Sequence, residues 1–162
     1  MAPIIGNISL WLSLCISVLQ FFNSRRKDKH ITVKINKFAV ISIFLLTFLS
    51  FLSLIYSHIT SDFSLINVYQ NSHTSKPFMY KIAGVWGNHE GSMLLWIFVL
   101  TIFNYFIYKL YNKKNISFVS KALETQSLII IGFSLFTVLT SNPFITTNEI
   151  NDNTDKALDG ET

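Results

Sequence analysis

Between Met1 and Arg25 the chain has no charged side chain, and residues 38–61, 91–108 and 125–148 form three more runs without Lys, Arg, Asp or Glu. A helix needs roughly 17–25 mostly apolar residues to cross the hydrocarbon core of a bilayer. Backbone groups in lipid must be satisfied within the segment, so each run reads as a helix. The expected spans are residues 4–22, 38–56, 92–108 and 128–144, and the expected fold class is an all-α integral membrane protein with four transmembrane helices. The rest of the composition agrees. Half of the 162 residues are hydrophobic and 14% are charged, where a soluble domain carries about 25% charged residues. Mean hydropathy is +0.41. Packed as buried helices of a soluble protein, four such runs would leave almost no sequence to form a surface.

The charges fall on one side of this plan. Residues 25–37 hold six basic side chains and one acid, and residues 109–124 hold four Lys and one acid. The 58–90 loop has two Lys and two acids, and the tail 145–162 has one Lys and five acids. Ten of the 13 basic residues therefore share one side, which the positive-inside rule assigns to the cytoplasm. Both termini and the 58–90 loop are then expected outside, in the periplasm for a bacterial inner membrane or the equivalent side of a mitochondrial inner membrane. This sided arrangement accounts for the net charge of +4 without nucleic acid as a partner. The first span lacks the basic n-region and A-x-A site of a signal peptide. Cys15 is the sole cysteine, so neither an internal disulfide nor a Cys-based metal site is expected. The polar, acidic tail 145–162 reads as disordered or as a connector.

The 58–90 loop and the start of the third span hold the residues best suited to chemistry. Gly84, Gly87 and Gly91 fall within eight positions, and Trp86 and Trp96 flank the pair His89-Glu90. Glycines permit tight turns and close approach of a backbone to a partner or flat ligand. Gly91-Ser92 opens a helix whose N-terminus favours an anion. With a helix starting by His89, the side chains of His89, Met93 and Trp96 share one stripe, with Ser92 beside them. Such a stripe suits the edge of a porphyrin. It suits equally, and by composition more simply, two tryptophan anchors at the membrane interface and a histidine bonded to Glu90, water or a carbonyl. Met93 stands where a zinc protease of the HExxH type needs its second histidine. His58 and His73 lie on the same outer side as candidate axial ligands or as ordinary interfacial histidines, while His30 falls in the basic loop. Pro143 marks a helix end.

The stretch Trp86-Gly87-Asn88-His89-Glu90-Gly91-Ser92-Met93-Leu94-Leu95-Trp96 closely resembles the WGxHEGSxLLW signature of the CcmF family of cytochrome c-type biogenesis proteins, haem lyase subunits of the system I maturation pathway. The resemblance extends through Asn71-Ser72, Pro77 and Tyr80, and recurs at Ile5-Gly6-Asn7 and at Thr140-Ser141-Asn142-Pro143-Phe144. It implies a polytopic inner-membrane protein several times longer than this chain. Such a protein helps attach haem to apocytochrome c on the outer side. Its implied partners are a haem chaperone, a thiol-handling subunit and the rest of the lyase complex. It also implies a tryptophan-rich WWD segment and haem-ligating histidines downstream, yet no histidine follows His89 here and the sequence ends in Ala157-Leu158-Asp159-Gly160-Glu161-Thr162. The chain is thus expected to be an N-terminal four-helix portion: a fragment, a split-gene product or a decayed frame. No catalytic or haem-ligand role carries over to His58, His73 or His89. What carries over is the family signature Trp86, Gly87, His89, Glu90, Gly91, Ser92 and Trp96, without an assigned chemical role. Haem is implied as cofactor by the resemblance alone. The competing expectations are a non-catalytic scaffold and a small transporter; the transporter lacks ionisable groups in the second and fourth spans, where a coupled pathway needs one.

Overall fold

The computed structural model describes residues 1–26, 29–110 and 116–147. Four long helices, α1 (Ala2–Ser24), α2 (Lys29–Ile59), α5 (His89–Lys109) and α6 (Ile116–Thr140), form a bundle, with the short α3 (Ile66–Asn71) and α4 (Phe78–Gly84) between α2 and α5. No strand forms among the described residues; Leu65 and Thr146 make one isolated antiparallel bridge. Four segments are long and apolar enough to cross a membrane: Ala2–Ser24, Thr32–Ile59, His89–Lys109 and Ser117–Thr140. The helix α1 packs on α2 and α6, and α5 on the same two, so the four close into a ring.

The helices outrun the apolar runs that announced them. The second and fourth begin at Lys29 and Ile116, well before residues 38 and 128. Hydropathy marks the membrane-embedded part of a helix and not its charged overhang. The first turns of α6 are held where α1 ends, by an Arg25–Glu124 ion pair of 2.9 Å and by Ser120 Oγ donating to the Ser24 carbonyl at 3.1 Å. At its other end α6 stops at Thr140, short of residue 144. Proline disfavours helical backbone at the residue before it, here Asn142, whose Oδ1 accepts the Phe144 N–H at 3.0 Å. Of the expected tail, residues 148–162 lie outside the described residues.

The bundle is apolar outside and small and polar within. Leu12, Leu19, Phe22, Leu45, Phe103, Phe106, Leu135 and Leu139 face outward. The buried stripe of α1 includes Gly6, Ser9, Leu10, Ser13, Leu14, Ser17 and Gln20. Hydroxyls on buried turns return to their own helix: Ser13 Oγ donates to the Leu10 carbonyl and Ser17 Oγ to that of Ser13, each at 2.7 Å. Between α2 and α5, Phe44, Phe48 and Phe51 pack against Phe98 with centroids 5.6–5.8 Å apart, and Phe44 meets Tyr105 at 5.9 Å. Gln20 and Asn104, both fully buried, exchange amide bonds of 3.1 and 3.0 Å across the interior.

That amide pair is the clearest energetic test of the interior. Interhelical side-chain bonds in membranes are worth about 1 kcal/mol. Asn104→Leu is expected to lower stability by about that amount, because it strands a buried amide. Adding Gln20→Leu should recover part of the loss. Unfolding by increasing SDS fraction in mixed micelles reads both variants; a double variant no better than the single one would contradict the pairing.

Candidate functional site

One end of the bundle gathers the segments that carry the family resemblance. The helix α2 closes with Asp62 N–H donating to the Ser57 carbonyl at 2.9 Å and Ser61 N–H to that of His58 at 3.2 Å, with Ser61 at φ 53°. This is the left-handed closure that usually takes glycine. The chain then folds back over the bundle end. Leu65, Val68 and Val85 join Leu10, Phe51, Leu54, Leu94, Ile97, Val138 and Phe144 in one buried cluster. Phe144 lies on Gly6, where any Cβ would strike its ring. Asn142 Nδ2 donates to Asn7 Oδ1 at 3.3 Å, and Ile66 N–H to the Ile145 carbonyl at 3.1 Å.

A chain of polar side chains ties the signature into this cluster. Asn88 caps α5, its Oδ1 accepting the Gly91 N–H at 2.7 Å while its Nδ2 donates to the Gly84 carbonyl at 2.9 Å. Asn67, on α3, pairs with that same amide: its Nδ2 donates to Asn88 Oδ1 at 2.9 Å, and its Oδ1 accepts from Asn88 Nδ2 at 3.2 Å. Asn67 Nδ2 also donates to Glu90 Oε2 at 3.2 Å, and Asn67 Oδ1 lies 2.9 Å from His58 Nε2. With Asn67 presenting its carbonyl, His58 donates from Nε2. Glu90 stands in the first turn of α5, where the helix dipole favours a carboxylate. Sequence reasoning missed Asn67. Its one signal was a lone amide inside the apolar stretch Leu65-Ile66-Asn67-Val68.

The three histidines of this end have separate surroundings. His58 is fully buried, and its Nδ1, without a hydrogen-bond partner, faces the space that Gly84 leaves open, 3.7 Å from where a Cβ would stand. His73 is exposed in the loop after α3, its Nδ1 accepting the Ser75 N–H at 3.3 Å. His89 is exposed on α5, its ring 6.4 Å from that of Phe136. No group of three His, Cys, Asp or Glu among the described residues is placed to hold a metal. His58 is enclosed, whereas His73 and His89 are exposed.

The expected stripe on α5 is present in part. Met93 lines an open apolar groove of about 470 Å³ with Ile129, Gly132, Phe133 and Phe136 of α6, and His89 stands near its Phe136 wall. Trp96 stands outside that groove, 58% exposed, and Trp86 is 44% exposed. Ser92 Oγ donates to the His89 carbonyl at 2.8 Å. The glycines divide by task. A Cβ at Gly91 would collide with the Val85 carbonyl, so this glycine serves the chain's own turn and not the approach of an outside ligand. A Cβ at Gly87 would lie 3.4 Å from the Ala83 carbonyl, an ordinary contact.

The chain is similar to several known proteins. The cytochrome c assembly protein family matches residues 86–156. The cytochrome c-type biogenesis protein CycK of Bradyrhizobium diazoefficiens is 39% identical over 138 residues, covering 85% of this chain and 21% of that protein. The cytochrome c-type biogenesis protein CcmF of Escherichia coli is 31% identical over 148 residues, covering 89% of this chain and 23% of its own length. The chain thus spans about a fifth of the length of the curated relatives it matches. Among solved structures, the cytochrome c haem lyase CcmF superposes with a TM-score of 0.82 at 23% identity, covering 89% of this chain and 25% of the other, a likeness of fold.

The two signature glycines separate turn geometry from everything else. Gly91→Ala is expected to destabilise the chain by about 2 kcal/mol or more, as forced backbone clashes do, and Gly87→Ala to stay within about 0.5 kcal/mol. Asn88→Ala should lose about 1 kcal/mol with the cap. Thermal unfolding of the three variants in one detergent ranks them; equal loss at Gly87 and Gly91 would contradict the turn described here.

Proposed function

Because the chain belongs to the CcmF family of cytochrome c-type biogenesis proteins, we propose that it serves c-type cytochrome maturation as a membrane component, assisting haem delivery and attachment to apocytochrome c. The observation that carries this reading is the convergence of segments far apart in sequence. Gly6 with Phe144, Asn7 with Asn142, and Asn67 with Asn88 meet at one end of the bundle. The role is supportive. His58 is enclosed, and Gly91 and Asn88 of the signature turn are bonded inward; on this reading the haem ligands and attacking groups come from other segments of the lyase complex. The partners on this reading are those segments, a haem chaperone, a thiol-handling subunit and apocytochrome c. The described cationic side chains at the far end, among them Arg25, Lys109 and Lys121, fit the cytoplasmic side of a bacterial inner membrane, and on this reading the signature end faces the periplasm.

Three outcomes follow. In a Cys15→Ser background, Thr74→Cys and Ser117→Cys should label from opposite sides of the membrane; labelling from one side would sink the sided arrangement. The purified chain should bind haem weakly, without a sharp low-spin Soret band. A stoichiometric low-spin complex lost on His89→Ala would overturn the supportive role. In a strain that depends on this chain for haem-stained cytochrome c, Asn67→Leu should reduce maturation while the chain remains inserted. Full maturation would reject the proposed function.

A further inference from the structure

Helix α4 has no buried residue. Phe78, Met79 and Tyr80 are 57%, 73% and 69% exposed, and Tyr69 and Trp86 on either side are exposed as well. In water this would be an unusual display of apolar area in a short connection. Its height relative to the spans is fixed by contacts. Lys81 Nζ donates to Ser61 Oγ at 2.7 Å, just past the last turn of α2, and α4 packs against α2. Gly84, the last residue of α4, lies beside His58 of that same turn. The segment is thus held level with the points where α2 ends and α5 begins, the two ends of membrane-spanning helices.

We propose that α4 with Tyr69 and Trp86 is a lipid-docking surface, seated in the headgroup layer of the leaflet at the signature end. Tyr and Trp carry an apolar ring and a polar tip, which suits the boundary between acyl chains and headgroups. The charge pattern fits the same occupant. Residues 63–89 contain no Asp or Glu, and the lysines Lys76 and Lys81 flank the exposed Phe78, Met79 and Tyr80. Lys76 Nζ donates to the Asn71 carbonyl at 2.9 Å. An ammonium has three donors, so each lysine keeps donors for lipid phosphate. A lysine at this level forms charge-assisted bonds with lipid phosphate. The surface steadies the loop from the membrane side, as Asn67 steadies it from the bundle side. It holds whatever the chain's part in cytochrome maturation.

The test uses the full chain with Cys15→Ser, reconstituted in vesicles of phosphatidylcholine and phosphatidylglycerol and spin-labelled at Met79→Cys, with Tyr80→Cys as a second site and Thr74→Cys as the loop control. Both docking positions are exposed, so the substitutions remove no internal packing. Power saturation with oxygen and a water-soluble nickel chelate reads depth. The expected result is a higher ratio of oxygen to nickel access at residues 79 and 80 than at 74, at a depth matching the headgroup boundary. Nickel access at 79 and 80 equal to that at 74 would overturn the proposal. So would low access to both reagents, which would mean cover by protein, from a partner or a second copy.

Discussion

Lipid tails are as apolar as leucine, so the four long helices gain little by hiding leucine from their surroundings and must be held by close approach and by hydrogen bonds. The interior follows from that constraint. Gly6 lets Phe144 lie on α1, and Ser50 Oγ reaches the Gly6 carbonyl at 2.9 Å. Polar bonds then cross the helix interfaces. Asn23 Nδ2 donates to Asn36 Oδ1 at 2.8 Å between α1 and α2, and Thr47 and Thr101 hydroxyls meet at 3.0 Å between α2 and α5. Gln126 Nε2 reaches the Leu100 carbonyl at 2.9 Å between α6 and α5, and Gln20 with Asn104 links α1 to α5. Each bond is satisfied at only one rotation and one height of its helices. In a solvent that does not discriminate among apolar faces, these bonds are what select the arrangement.

The end carrying the signature applies the same rule to a loop. Irregular backbone near a membrane needs its polar groups satisfied by protein or water. Here asparagine side chains do much of this: Asn88 takes the amide of Gly91 and bonds the carbonyl of Gly84, while Asn142 takes the amide of Phe144. Asn67 holds Asn88 and Glu90 together, and His58 closes the far side of Asn67. Leu65, Val68 and Val85 fill the space beneath. The two ends of the loop are therefore part of the core, and the start of α5 is fixed by protein contacts.

The four long helices were legible because burial in lipid demands long apolar runs, a signal of large amplitude. Their charged overhangs were not, since Lys121 and Glu124 are polar by composition and helical by position, and only the Arg25 partner reveals why. The resemblance at residues 86–96 singled out this segment, but spacing alone could not divide its glycines. That Gly91 answers to Val85 and Gly87 to nothing so close depends on the path of the turn. His58 looked like an interfacial histidine because it sits at the end of an apolar run. Its burial comes from the 65–88 fold-back, a long-range event that no local pattern records. Asn67 was missed for the same reason.

Within the eleven residues from Trp86 to Trp96, inward and outward side chains have different tasks. Asn88, Glu90 and Gly91 bond or pack inward, Leu94 is fully buried, and the path of the backbone accounts for each of them. Trp86, His89 and Trp96 are left exposed, and Met93 lines the groove beside α6. Of these side chains, only the second set is open to lipid or to a partner. The first set determines where the second is held: the position of His89 depends on the cap by Asn88 one residue earlier, and through Asn67 on His58 at the end of another helix. Any chemistry at this surface thus rests on side chains that never reach it. A substitution at Asn67 or Gly91 acts by moving His89 and Trp86, whereas one at His89 or Trp86 changes the surface while leaving the fold intact.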